Sequence, residues 1–119
     1  MPQTLNSIDE FQEYLVGVER RAKEHAQNVE EVLLFLAGAI VIFKDPSREL
    51  VVGTYRGGLA NVLRVTIAGE RYVLSYDHEE EAVQIKRGTS KGEVVERFDN
   101  HTEPSQILRL FRRLRRHGR

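Results

Sequence analysis

Three groups of side chains have the types and the spacing to do chemistry. The first is Arg109, Arg112, Arg113 and Arg116. Steps of three and four residues put these on one face of a helix, and a row of guanidiniums can grip phosphates bidentately. Arg115 and Arg119 extend the patch. A plainer reading also fits: cations near a helix C-terminus complement its dipole, and an acidic partner segment can pair with them. The charge layout allows both. Residues 103–119 hold six arginines and one acid, while residues 1–49 hold nine acids and five bases. Across the chain 18 basic and 18 acidic residues cancel, so the domain-wide basic excess of a typical nucleic-acid binder is missing. Nucleic-acid binding through these arginines is therefore an alternative reading.

The second group gathers at strand ends: Asp77-His78 and Asp99-Asn100-His101. Two histidines with nearby carboxylates can bind a metal or shuttle protons, so a hydrolase or metal site at Asp77, His78 and His101 is a further alternative. In an antiparallel meander these ends lie two strand spacings apart, roughly 10 Å, too wide for a shared ion without help from loops. Polar residues that close turns give the same pattern. The third group is Tyr55, Tyr72 and Tyr76, which can line a small apolar pocket between sheet and helices and bind a ligand there. His25, on an apolar helical stripe, reads as a hydrogen-bonded core histidine. No phosphate loop, nucleophile elbow or HExxH pattern occurs, and no catalytic residue, metal site or cofactor is assigned.

The elements that must position these groups are legible from periodicity. Residues 7–29 read as an amphipathic helix, opened by the capping box Ser7-x-x-Glu10 and carrying the stripe Ile8, Phe11, Leu15, Val18, Ala22, His25, Val29. The stripe also matches a coiled-coil seam. Residues 30–44 read as a second helix or an extension of the first, with strand character possible from Ile40. Being apolar nearly all round, this element is expected to be the most buried. From Leu50 the pattern turns to strands: 50–56, 61–67, 71–77, a strand marked by Val83 and Ile85, and 94–98, joined by short turns such as Ala68-Gly69. The chain closes with a helix behind Thr102 or Glu103, with Pro104 in its first turn and the stripe Ile107, Leu110, Phe111, Leu114 facing the sheet. The expected fold is α+β: an N-terminal helix or helix pair, a five-stranded antiparallel meander, and a C-terminal helix packed on the sheet.

Residues 61–88, NVLRVTIAGERYVLSYDHEEEAVQIKRG, followed by 92–111, GEVVERFDNHTEPSQILRLF, resemble a group of small, mostly uncharacterised bacterial α+β proteins carried on integron mobile gene cassettes. The resemblance covers roughly Asp45 to Leu114. It rests on the hairpin, the Ser75-Tyr76-Asp77-His78 strand end and the Phe98-Asp99-Asn100 exit. These features make fold and carry no chemistry. The resemblance implies a bacterial, cytoplasmic accessory protein, often oligomeric, and supplies no catalytic residue.

Composition bounds the remainder. At 119 residues, residues 1–119 are read as a single domain with one modest core. With no cysteine, disulfides and thiolate chemistry are excluded. The stretch MPQTLNSIDEF has neither a basic nor an apolar signal region, so export is not expected. The longest apolar run, Val32 to Phe43, has 12 residues where a membrane span needs about 20. The reading is a small, non-catalytic, cytoplasmic binding protein that engages a protein or small-ligand partner. A homodimer is expected, because the apolar load of residues 8–43 exceeds what one small sheet can cover.

Overall fold

The computed structural model describes residues 3–5, 7, 9–16, 29, 31–55 and 58–117. Six strands form one antiparallel sheet in chain order: β1 (Gln3–Leu5), β2 (Leu50–Tyr55), β3 (Gly58–Ile67), β4 (Glu70–Asp77), β5 (Ala82–Arg87) and β6 (Val94–Phe98). The expected five-stranded meander is thus present. It gains β1, which pairs Gln3 with Val52 and Leu5 with Leu50. Three residues are too few to show an alternation, and β1 exists because the edge of β2 offers unpaired backbone groups. Strand β3 also begins at Gly58, three residues earlier than its apolar pattern suggests.

Alternation sorts the sheet into two faces. Leu63, Val65 and Ile67 of β3 share the core face with Tyr72 and Leu74 of β4 and with Ile85 of β5, all buried. Arg64, Arg71 and Arg97 are exposed on the other face, the wetter one that the half-polar alternation predicts.

Among the described residues three helical segments cover the core face: α1 (residues 9–16), α2 (Val32–Phe43) and α3 (Pro104–His117). The Ser7 cap of α1 forms. The Glu10 amide donates to Ser7 Oγ at 3.1 Å, and the Glu10 carboxylate reaches back to the Ser7 hydroxyl at 3.2 Å. Phe11 and Tyr14 are buried and Leu15 partly so. Positions Ile8, Val18, Ala22 and His25 of the expected stripe lie outside the described residues. Val29 is buried but not helical and Glu31 lies in a turn, so α2 is a second helix and not an extension of the first. The strand character considered from Ile40 does not occur. The helix runs to Phe43 and stops at Lys44, whose backbone is extended, two residues before Pro46.

One expectation about α2 fails. Val32, Leu36, Ala37, Ile40 and Phe43 are buried, but the other side of this all-apolar helix faces outward: Leu34 is 71% exposed and Ile42 68%. Helix α3 behaves as its stripe requires, with Ile107, Leu110, Phe111 and Leu114 all buried. The Phe111 ring meets Phe43 of α2 at 5.9 Å between centroids. At the start of α3 the Glu103 amide donates to Gln106 Oε1 at 2.7 Å, the returning half of a capping box with Pro104 as the first helical residue. Thr102 instead accepts from the Asp99 amide at 3.0 Å and closes the preceding turn. No helix among the described residues is long and apolar enough to cross a membrane.

Candidate functional site

The sheet register builds the floor of a cavity. Leu63 sits opposite Leu74, and Tyr76 opposite Val83. Above them Phe11 and Tyr14 descend from α1, and Leu33, Leu36, Ala37 and Ile40 from α2. Phe11 and Tyr14 are three residues apart, and Leu33, Ala37 and Ile40 follow steps of four and three, so each helix turns one face to the same space. Between these layers lies an apolar cavity of about 70 Å³, partly open to solvent. The polar groups of its side-chain lining are those of Tyr14 and Tyr76, with Ser75 contributing from between the inward-facing Leu74 and Tyr76. An engineered apolar cavity that admits benzene has about 150 Å³, so this space suits something thinner than an aromatic ring.

The three tyrosines read as pocket residues part company here. Tyr76 lines the cavity. Its ring stands edge-on to His78, with centroids 4.8 Å apart. Tyr72 lies four residues back on the same strand, about 13 Å away. It is 1% exposed, in the closed core. Its hydroxyl receives a long hydrogen bond from Arg87 Nη1 at 3.5 Å, and the guanidinium carbon lies 5.5 Å from its ring centroid. Burial pushes the Tyr72 phenol above its ordinary pKa of 10.0, and the neighbouring Arg87 charge only partly offsets this. The side chain of Tyr55 lies outside the described residues. Tyr14, by contrast, is a cavity residue that the apolar stripe did not include. A tyrosine at the position before Leu15 was the available signal.

At the end of the sheet Asp77, Asp99 and Asn100 accept hydrogen bonds from backbone amides. Asp77 accepts from the amides of Glu79 at 3.0 Å and Glu80 at 3.4 Å, and from Gln84 Nε2 at 2.9 Å. Asp99 accepts from the His101 amide at 2.8 Å. Asn100 reaches furthest: its Oδ1 accepts from the amides of Glu31 and Val32, both at 3.0 Å, and so caps α2 from the far end of the chain. Glu31 offers no side-chain cap of its own. The turn-forming reading of these residues therefore has specific bonds behind it. No cluster of three or more potential metal ligands occurs among the described residues.

The arginines stand where the helical wheel puts them. Arg109, Arg112, Arg113 and Arg116 are exposed on α3, opposite its buried stripe. They flank a shallow groove of about 480 Å³ that Glu96 of β6 also lines. A carboxylate inside the groove opposes a phosphate there. Arg115 turns away from this row, donating from Nη2 to the Ile42 carbonyl at 3.1 Å, with its guanidinium 4.3 Å from the Phe43 ring centroid. Arg119 lies outside the described residues.

A protein-family model described as "Integron cassette protein VCH_CASS1 chain" matches residues 11–109. The cavity residues from Phe11 to Val83 fall inside that span; Arg112, Arg113 and Arg116 fall beyond it. The match agrees with the resemblance carried by residues 61–88 and 92–111. No curated protein matches the chain.

Proposed function

The chain belongs to this integron cassette protein family, and from that premise we propose that it is a small, non-catalytic accessory protein of the bacterial cytoplasm that holds a compact apolar ligand. The observation that carries the reading is the cavity between α1, α2 and the sheet, walled mostly by aliphatic and aromatic side chains. Ligand sites of this kind combine an apolar lining with a few orienting polar atoms. At about 70 Å³ the space accepts the end of a short alkyl chain, with the polar head of the molecule left near the lining tyrosines. The groups that best resemble catalytic machinery, Asp77 and Asp99, support the same reading because their oxygens bind turn amides.

The test is a thermal-shift and NMR titration with linear alcohols and carboxylates of increasing length. A ligand that binds only the folded state raises Tm in proportion to the logarithm of its concentration. We expect a saturable shift that rises with chain length and then falls, with resonances of Ala37, Leu74 and Tyr76 moving first. In Ala37→Leu, which fills the cavity from α2, the shift should vanish while the free protein keeps its Tm. If no member of the series binds, or if the Leu variant binds as wild type does, the reading fails.

A further inference from the structure

The exposed side of α2 has a pattern that the fold of one chain does not require. Leu34 is 71% exposed, Phe35 51%, Val41 48% and Ile42 68%. These positions are −4, −3, +3 and +4 relative to Gly38, so they form one face with Gly38 at its centre. All twelve residues of α2 are apolar or glycine, and a helix that is apolar all round belongs in a fully buried setting. Among the described residues nothing packs against Gly38. A Cβ added there would meet nothing within 4 Å, and the residue adopts ordinary helical backbone. Glycine in a helix interior is less stable than alanine, and here no close neighbour among the described residues compensates.

We propose that this face is the contact through which two copies of the chain form a two-fold dimer, with α2 packed antiparallel on its symmetry mate and the two helices crossing at Gly38. A two-fold interface must be self-complementary: if residue i meets j, then j meets i. The face satisfies this about Gly38. Leu34 and Phe35 of one copy meet Val41 and Ile42 of the second, and the reverse. Glycine at the crossing point lets the two backbones approach more closely than the usual interhelical distance. Charge selects the antiparallel direction. Glu31 lies two turns before Gly38 on the same face and is exposed. Arg115 is held beside the other end of the face by its bond to the Ile42 carbonyl. Antiparallel packing brings Glu31 of each copy to Arg115 of the other, whereas parallel packing sets like beside like. This proposal is independent of the ligand reading and can stand if that one fails.

The experiment is sedimentation equilibrium on the full chain from micromolar to submillimolar concentration, with far-UV circular dichroism of each variant. Wild type should show a reversible monomer–dimer equilibrium. Leu34→Glu/Ile42→Glu should be monomeric throughout with an unchanged spectrum. Gly38→Ala, which adds a methyl group to open space in the monomer, should weaken the dimer at least about tenfold without lowering the Tm of the monomer. Glu31→Arg should weaken it too, and Glu31→Arg/Arg115→Glu should restore it. A wild-type chain that stays monomeric at every concentration overturns the proposal, whether another protein or another segment of the chain covers the face. A dimer of undiminished affinity in Gly38→Ala overturns the crossing at Gly38, even if the Glu variant fails to fold. If the charge swap does not restore affinity, the antiparallel arrangement is wrong.

Discussion

At the residue scale, one polar side chain joins distant parts of the chain: Asn100. One carbonyl oxygen satisfies two amides at the start of α2, at 3.0 Å each, and ties that helix to the turn before α3. Removing a helix cap typically costs about 1 kcal/mol, with a range of roughly 0.5–2. Asn100→Ala should therefore lower unfolding free energy in urea by about 1–2 kcal/mol, while Asn100→Asp, which keeps the acceptor and adds charge at a positive helix end, should hold near wild type. Tyr72 offers a second test, through pH. Its folded-state pKa lies above the ordinary 10.0 because burial disfavours the phenolate. Below pH 10.0 both folded and unfolded chains keep the proton, and stability does not depend on this group. Above it the unfolded chain ionises while the folded one resists. Stability then falls as pH rises, by up to about 1.4 kcal/mol per pH unit, until the folded-state pKa is passed. Tyr72→Phe should remove that part of the alkaline slope. Equal slopes for the two proteins would contradict the assignment.

At the element scale, the β3–β4 hairpin shows how one segment relieves strain in another. Its turn residues Ala68 and Gly69 have φ of 51° and 83°, the two-residue geometry that matches strand twist. Glycine takes such a backbone freely; alanine does so at a cost of about 1–2 kcal/mol. Asp45, just past α2, offsets this. Its two carboxylate oxygens accept from the Ala68 amide at 2.7 Å and the Gly69 amide at 2.8 Å, and its own amide donates to the Thr66 carbonyl at 2.8 Å. Asp45→Ala should thus destabilise by about 1–3 kcal/mol, because it strips two amides of charge-assisted bonds. Its amides at 68 and 69 should lose hydrogen-exchange protection before those of β5. A different constraint holds the β5–β6 turn. A Cβ on Gly92 would sit 1.8 Å from the Arg87 carbonyl oxygen, so any other residue there must displace the turn.

At the scale of the whole molecule, the helices lie over one face of the meander, and α2 is shared between two tasks. One side closes the cavity and packs on α3; the other carries the exposed stripe centred on Gly38. If that stripe joins two copies, folding and association are linked. The Tm of the wild type should rise with protein concentration, and that of Leu34→Glu/Ile42→Glu should not. The basic face of α3 lies apart from this contact. Its arginines should tolerate replacement by Gln in the set Arg109, Arg112, Arg113 and Arg116 with little change in Tm, since all four are exposed.

The amino-acid sequence alone dictates what depends on neighbours along the chain. The stripe of α3, the strands from 70 to 98, the Ala68-Gly69 turn and the Ser7-Glu10 cap follow from periodicity and local hydrogen bonding, which act over a few residues. It also carried the family, through residues 61–111. Tertiary structure decided what depends on distant partners. The short strand β1 forms only because β2 is there to pair with it. The cap of α2 comes from Asn100, nearly seventy residues away, so no pattern before Val32 announces it. Tyr72 and Tyr76 share a strand face, yet only Tyr76 meets the cavity, because Tyr72 lies toward the Ala68-Gly69 turn, where the end of α2 docks and the core is closed. And twelve apolar residues cannot reveal which side of α2 a single chain leaves uncovered: hydropathy registers that a residue is apolar, while burial is set by which surfaces the fold brings together.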